Sequence, residues 1–385
     1  MRLAKILCGL AFLAVLASNI WSISRWNESR GVYDDVCYLR QAHLFQRFGA
    51  SGLDTNIVFD DDHYLANKLK EIGFPNWNDP KSVPCHTSIP ARESAREKYI
   101  LQYPPGTGFA LSLFPAGFQV IPLYVLANVT IFGFALLGLF RARDPASLTL
   151  AAIFGMVAIY LMINPAKASY SVAPTMVACA LAGLLTAKLF VDGQRHRLGL
   201  TVLIGLVIGL SVNFRLPNLF LSAGYCLVLF VSFLLARNRE TLLQGIAFAI
   251  AFLAGITPTL VANAINAGSP FATTYGGVDA VAPELNSNVL WSYVTNIQFV
   301  LLLGACAWTA LLWRSSRQGG VRQLALVVAG NLAVNVIFFM THPLFTPYYT
   351  IPVAMLSLWT LLFATLDVRG ETARESLAPG QPAKA

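Results

Sequence analysis

The chain has 385 residues, 56% of them hydrophobic and 12% charged, where an ordinary soluble domain carries about 25% charged residues; it lacks the polar surface to cover itself in water. The net charge of +8 is not a nucleic-acid footprint, because outside one long loop the basic residues form short clusters between apolar runs, not one basic face. The runs are continuous and rich in Leu, Ala, Val and Gly, which excludes the alternating pattern of a β-barrel and leaves an all-α integral membrane protein.

Taken in chain order, the apolar runs cover 4–22, 121–140, 146–164, 170–190, 198–213, 216–236, 242–262, 293–313, 322–340 and 349–366, about ten spans of the length a hydrocarbon core requires. Arg2 and Lys5 precede the first. That run also fits a signal peptide cut near Ala17. The stretch 106–140 is too long for one span, and Pro115 and Pro122 argue for a break. Residues 106–120 are therefore read as a re-entrant or interfacial helix. Basic residues fall on alternate connections: Arg141 and Arg143, Arg195 and Arg197, Arg237 and Arg239, then Arg314, Arg317 and Arg322. Placing these in the cytoplasm satisfies the positive-inside rule with both termini inside. Residues 1–366 form a single polytopic domain, and 367–385 a disordered cytoplasmic tail. Residues 23–105 form a large extracytoplasmic loop holding more than half of the Asp and Glu. Its pieces 38–49 and 91–99 read as short surface helices.

Cys8, Cys179, Cys226 and Cys306 lie in apolar runs and read as packing residues. Cys37 and Cys85 share the outer loop and form the one disulfide pair to expect if that side is oxidising. The chemistry-bearing residues gather on the outer face. Asp34-Asp35, with Tyr38 just beyond, is a carboxylate pair outside the membrane, suited to a base or to a cation, and taken alone it reads first as a solvated loop start. Gln102-Tyr103-Pro104-Pro105-Gly106 fixes a bend. Arg215, within Asn213-Phe214-Arg215-Leu216-Pro217-Asn218, is an interfacial cation in need of a partner or a ligand. Asn263 to Tyr275 contains Gly268-Ser269-Pro270. His342 to Tyr349 ends in Tyr348-Tyr349, and His342 with these tyrosines suits a phosphate. No cofactor is required. Asp60, Asp62 and His63 have the residue types for a divalent cation, but three consecutive Asp in a long loop are more often simply solvated, and no metal site is assigned.

In this order the motifs resemble the GT-C-fold membrane glycosyltransferases, in particular the bacterial relatives of the protein O-mannosyltransferases and of the lipid A aminoarabinose transferase. Asp34-Asp35-x-x-Tyr38 is similar to the acidic start of that family's first outer loop, with Asp35 where Glu is common. Tyr103 to Gly106, Arg215-Leu216-Pro217, Asn263, Gly268 to Pro270 and Tyr275 match later motifs. Ala173-Pro174-Thr175 departs from it, since many members carry an acid there. The resemblance implies a GT-C-like fold in a bacterial inner (plasma) membrane, with the active site facing the periplasm or exterior. It implies transfer of a sugar from a polyprenyl-phosphate carrier to a lipid, glycan or protein acceptor, by an inverting single displacement. Asp34 would be the base, with Asp35 beside it. Arg215, His342, Tyr348, Tyr103 and Tyr38 would bind the donor phosphate or substrate. The rival readings are a transporter or flippase for a lipid-linked sugar and a non-catalytic assembly factor. The first wants charged residues along a midplane path, which these spans almost lack.

Overall fold

The computed structural model describes residues 1–28, 33–83, 85–90, 97–163, 169–192, 196–276, 282–316, 318–342 and 344–377, with the side chains of 33, 34, 80, 90, 192 and 370–377 outside that description. Ser29, Lys167, Arg195 and Arg317 therefore fall outside it. Helix α1 (Arg2–Ile23) leads into a loop domain built from α2 (Tyr33–Phe48), α3 (Tyr64–Glu71) and the antiparallel strands β1 (His86–Pro90) and β2 (Glu97–Leu101). The bundle then runs through α4 (Gly106–Ser112), α5 (Val120–Arg141), α6 (Pro145–Leu161), α7 (Val172–Ala187), α8 (Arg197–Val212), α9 (Ala223–Ala236), α10 (Arg239–Ala267), α11 (Ser287–Val294), α12 (Phe299–Ser315), α13 (Gly319–Thr341) and α14 (Ile351–Leu377).

Among the described residues, 7 helical segments are long and apolar enough to cross a membrane: α1, α5, Val172–Val191, Leu216–Ala236, α10, α13 and Pro347–Arg369. The chain is thus an all-α, multi-pass membrane protein. The expected span 293–313 is instead α12 preceded by the separate helix α11, bent 75° away from it. Helices α6 and α8 are apolar but shorter than a standard span. Helix α4 has 7 residues, about 10 Å at 1.5 Å each, so it cannot cross a bilayer; the stretch 106–120 is a short helix and a turn.

Local chemistry sets the boundaries. Asp144 caps α6 through Ser147, with Pro145 in its first turn. Asn238 caps α10, and Gly268 ends it at φ 76°, the left-handed conformation glycine adopts without penalty. Helix α14 is the hub of the bundle: 83% of its apolar window is buried. Trp359 is fully buried and meets Phe154 edge-on at 4.6 Å. At the arginine-rich end, Lys5 Nζ donates to the Phe140 carbonyl at 2.8 Å, Arg141 pairs with Asp367 at 3.2 Å and Arg369 with Asp144 at 3.0 Å. These ion pairs hold Asp367 and Arg369, in the first part of the expected tail, against the bundle. Helix α14 continues through 367–377, and 378–385 lie outside the described residues.

The loop domain has its own core of Val36, Cys37, Leu65, Leu69, Phe74, Val83, Cys85 and Leu101. The expected helix over 38–49 is the body of α2. The one over 91–99 is not found: 97–101 is strand β2, paired with β1, and 91–96 lie outside the described residues. Cys37 and Cys85 are joined as a disulfide across 48 residues of sequence, tying α2 to the chain just before β1. Closing a loop of that length stabilises the domain by about 4 kcal/mol. A Cys37→Ser/Cys85→Ser double variant should lower the melting temperature of the purified protein. A peptide map of unreduced protein should show the two joined, and finding both as free thiols would refute the bridge.

A buried cation sits beside this bridge. Arg40 is fully buried, donates to the carbonyls of Thr55 and Asn56 at 3.0 Å each, and lies 3.7 Å from Asp60. Burial lowers its pKa to about 10. Arg40 Nη1 also points at His86 Nε2, 3.4 Å away. Guanidinium has no acceptor, so this nitrogen of His86 is unprotonated. Burial, then the Arg40 charge, lowers the His86 pKa to about 3. Unfolded, the ring would titrate near 6.5. Below that pH the unfolded chain takes up a proton that the folded one refuses. Stability is therefore complete above about pH 6.5 and falls on acidification toward pH 3, by at most about 1.4 kcal/mol per pH unit. Hydrogen exchange of β1 at pH 7 and pH 5 should show the loss, and His86→Asn should flatten it. An unchanged pH dependence in the variant would assign the acid sensitivity elsewhere.

Candidate functional site

The sequence motifs meet at the loop-bearing end of the bundle. The first turn of α2 carries Asp34 and Asp35. The Asp35 side chain is buried and accepts the backbone N–H of Tyr170 at 3.1 Å. Tyr170 in turn donates its hydroxyl to the Glu28 carbonyl at 2.5 Å and sets its ring edge-on to Tyr124 at 6.1 Å. Asp35 thus fastens the link before α7 onto the start of α2. The side chain of Asp34 lies outside the described residues.

On the same helix, Tyr38 stacks on Tyr103, with centroids 5.0 Å apart, and Tyr103 meets Tyr275 at 6.2 Å. Three motifs far apart in sequence are joined by these rings. The Tyr103-Pro104-Pro105 turn delivers α4 against α2 and against the end of α8. Gly106 N–H donates to the Asn213 carbonyl at 2.7 Å, and a Cβ at Gly106 would fall 2.6 Å from that same oxygen, so glycine is required by the close approach. Thr107 Oγ1 donates to the Phe214 carbonyl at 3.2 Å. Asn213 is itself a knot: its Oδ1 accepts from Thr259 N–H and Oγ1, at 3.0 and 2.8 Å, and its Nδ2 donates to the Gly255 carbonyl at 2.8 Å. Helices α4, α8 and α10 are locked together around the segment that carries Arg215.

Arg215 begins the 3₁₀ turn Leu216–Ser222 from an extended backbone, and its side chain turns inward, 6% exposed. Its Cζ lies 4.7 Å from the ring centroid of Tyr348 and 5.1 Å from that of Tyr349. The aromatic faces stabilise the charge, yet Nη1 is buried with no hydrogen-bond partner among the described residues. A buried donor left unmade costs about 1–3 kcal/mol, and almost all such groups are paired in native proteins. A guanidinium held open in this way is suited to the oxygens of an anion, above all a phosphate or carboxylate.

The other sequence candidates fare differently. His342 follows α13, and its ring stacks on Phe338 at 5.7 Å. Asp60 pairs with Arg40 and accepts the Leu65 N–H at 3.0 Å. Asp61 lies 2.7 Å from Arg47, whose hydrogen bond holds its carboxyl below the usual range. Asp62 lies 2.6 Å from His43 and 3.1 Å from Arg47. His63 adopts φ 58° at the start of α3. The Asp60, Asp62 and His63 set is thus not gathered as ligands, because its carboxylates face cations. Among the described residues the group of metal-ligating types that does converge is Cys37, Cys85 and His86, where the two sulfurs are bonded to each other.

Sequence reasoning gave no separate role to Asn213 or Tyr170. Asn213 carried a usable signal, a polar residue closing an apolar run. Tyr170 carried none, since its partners lie far away in the chain. Comparison of the chain with family models, with curated proteins and with solved structures finds no match.

Proposed function

We propose that the chain is a GT-C-like membrane glycosyltransferase that moves a sugar from a polyprenyl-phosphate carrier to an acceptor hydroxyl. In this reading the bundle crosses a bacterial inner membrane about ten times: the seven long segments, α11 with α12 as one bent span, and α6 and α8 as short ones. Both termini and the arginine-rich connections then lie in the cytoplasm, and the loop domain faces the periplasm or exterior. The observation that carries the reading is Arg215: a buried guanidinium with a nitrogen that has no partner among the described residues, above two tyrosines, at the end of a membrane bundle. A lipid-borne anion reaches such a place from the bilayer.

The chemistry is one displacement. The acceptor oxygen bonds to the sugar's anomeric carbon from the face opposite the phosphate. The bond from that carbon to the phosphate oxygen breaks, and polyprenyl phosphate leaves with the electron pair. Asp34 takes the acceptor's proton, the general-base role. Arg215 stabilises the charge that grows on the leaving phosphate. Asp35, fastened to the Tyr170 N–H, holds the helix start that presents Asp34. Tyr38, Tyr103 and Tyr275 form an aromatic wall, and Tyr348 the floor beneath Arg215.

The direct test of the phosphate site compares two ligands on the purified protein. Polyprenyl phosphate should bind, and the uncharged polyprenol of the same length should bind at least about 10-fold more weakly, the scale of a charge-assisted contact. Equal affinities would show that the hydrocarbon alone is recognised and would remove Arg215 from the role.

A further inference from the structure

We infer that Tyr293 is a positioning residue for this anion site, holding the segment that places Tyr348 and Tyr349 beneath Arg215; the inference rests on Arg215 being the phosphate ligand. Helix α11 is short and two-faced. Asn286 caps it, accepting from the N–H groups of Asn288 and Val289. Val289 and Tyr293, one turn apart, are buried, while Trp291 and Val294 are exposed. Its inner face packs into a small apolar cluster with Phe339, to which Phe345 and Tyr349 contribute. The Tyr293 ring meets Phe345 edge-on, with centroids 4.8 Å apart.

A hydroxyl inside an apolar cluster costs free energy unless it is bonded. The Tyr293 hydroxyl is bonded to the strap between α13 and α14. It accepts the Thr346 N–H at 3.2 Å and donates to the Leu344 carbonyl at 3.5 Å. Phe345 is thus held from both sides. Thr346 is also the residue from which the 3₁₀ turn Pro347–Tyr349 starts, and its carbonyl accepts the Tyr349 N–H at 3.0 Å. One hydroxyl therefore fixes the first residue of the turn whose next members are the two rings under the guanidinium. The connection passes from α11 through the strap to Tyr348 and Tyr349 and so to Arg215. Sequence patterning hid it, because Tyr293 reads as the first residue of an apolar run.

The test uses the full chain and polyprenyl phosphate as probe. Tyr293→Phe keeps the ring and its packing, removes the hydroxyl and leaves the Thr346 N–H without its acceptor. The melting temperature should stay within a few degrees of the parent's. Affinity should fall by roughly 5–10-fold, and combining it with Arg215→Ala should add nothing further, as expected of residues acting through one site. Hydrogen exchange in the strap 342–349 should quicken in Tyr293→Phe, a readout that needs no ligand. Parent-like affinity and parent-like exchange in Tyr293→Phe would overturn the inference. So would full additivity with Arg215→Ala, which would place the effect elsewhere. If the parent itself shows no binding that depends on Arg215, the phosphate reading fails first and this inference falls with it.

Discussion

Asp34→Asn should lower sugar transfer by roughly 10²–10⁴-fold, the range of general-base catalysis, with donor affinity unchanged. Asparagine keeps the size and loses the proton acceptor, so the effect should fall on turnover and not on binding. Asp35 has a visible structural task. Asp35 is buried and its carboxylate holds the Tyr170 N–H, a task that an asparagine oxygen also performs. Asp35→Asn should therefore retain most activity. Asp35→Ala should leave the Tyr170 N–H unpaired, lowering stability by about 1–3 kcal/mol. Steady-state rates and donor binding measured on all three variants separate these roles. Near-parental turnover in Asp34→Asn would end its assignment, and a collapse confined to Asp35→Asn would move the base one residue along.

Arg215→Ala should weaken the donor by roughly 10–100-fold and slow turnover further, since loss of a preorganised charge at a leaving group costs about 10²–10³ in rate. Arg215→Lys should recover part of this, because an ammonium lacks the planar fork of the guanidinium. Stability gives an independent sign. A structural arginine, fully bonded, destabilises the fold when removed. Arg215 keeps a buried nitrogen with no partner among the described residues, so truncating it removes a desolvation cost of about 1–3 kcal/mol against the loss of a cation–π contact of about 0.5–2 kcal/mol. The melting temperature of Arg215→Ala should accordingly hold or rise while binding collapses. A marked loss of stability with binding intact would make Arg215 a packing residue.

The spans were legible because hydrocarbon imposes long uninterrupted apolar runs. The expected run 121–140 and the helix Val120–Arg141 differ by one residue at each end. Other features were not legible. Helix α10 extends through Ala267, beyond the expected end at 262, because Asn266 is satisfied on the loop domain: its Oδ1 accepts from Thr55 N–H at 2.9 Å and its Nδ2 donates to the Leu53 carbonyl at 2.8 Å. No pattern within one segment shows a partner more than 200 residues away. The break between α11 and α12 was hidden for a related reason, since hydropathy does not register a bend. The candidate site divided along the same line. Residue types at Asp34, Tyr103 and Arg215 were visible, whereas the Tyr38–Tyr103–Tyr275 contacts and the tyrosine floor under Arg215 exist only once distant segments pack. The partners of the acidic run at Asp60 were not legible, because Arg40, His43 and Arg47 lie on α2.

The central claim is sugar transfer from a lipid phosphate, and its most direct measurement follows a donor labelled in both sugar and lipid. Purified protein in proteoliposomes, supplied with extracted envelope acceptors, should release free polyprenyl phosphate as the sugar label passes to the acceptor with inverted configuration, and Asp34→Asn should abolish both. Movement of the intact donor across the bilayer, with both labels still joined and no dependence on Asp34, would contradict the account and make the protein a carrier.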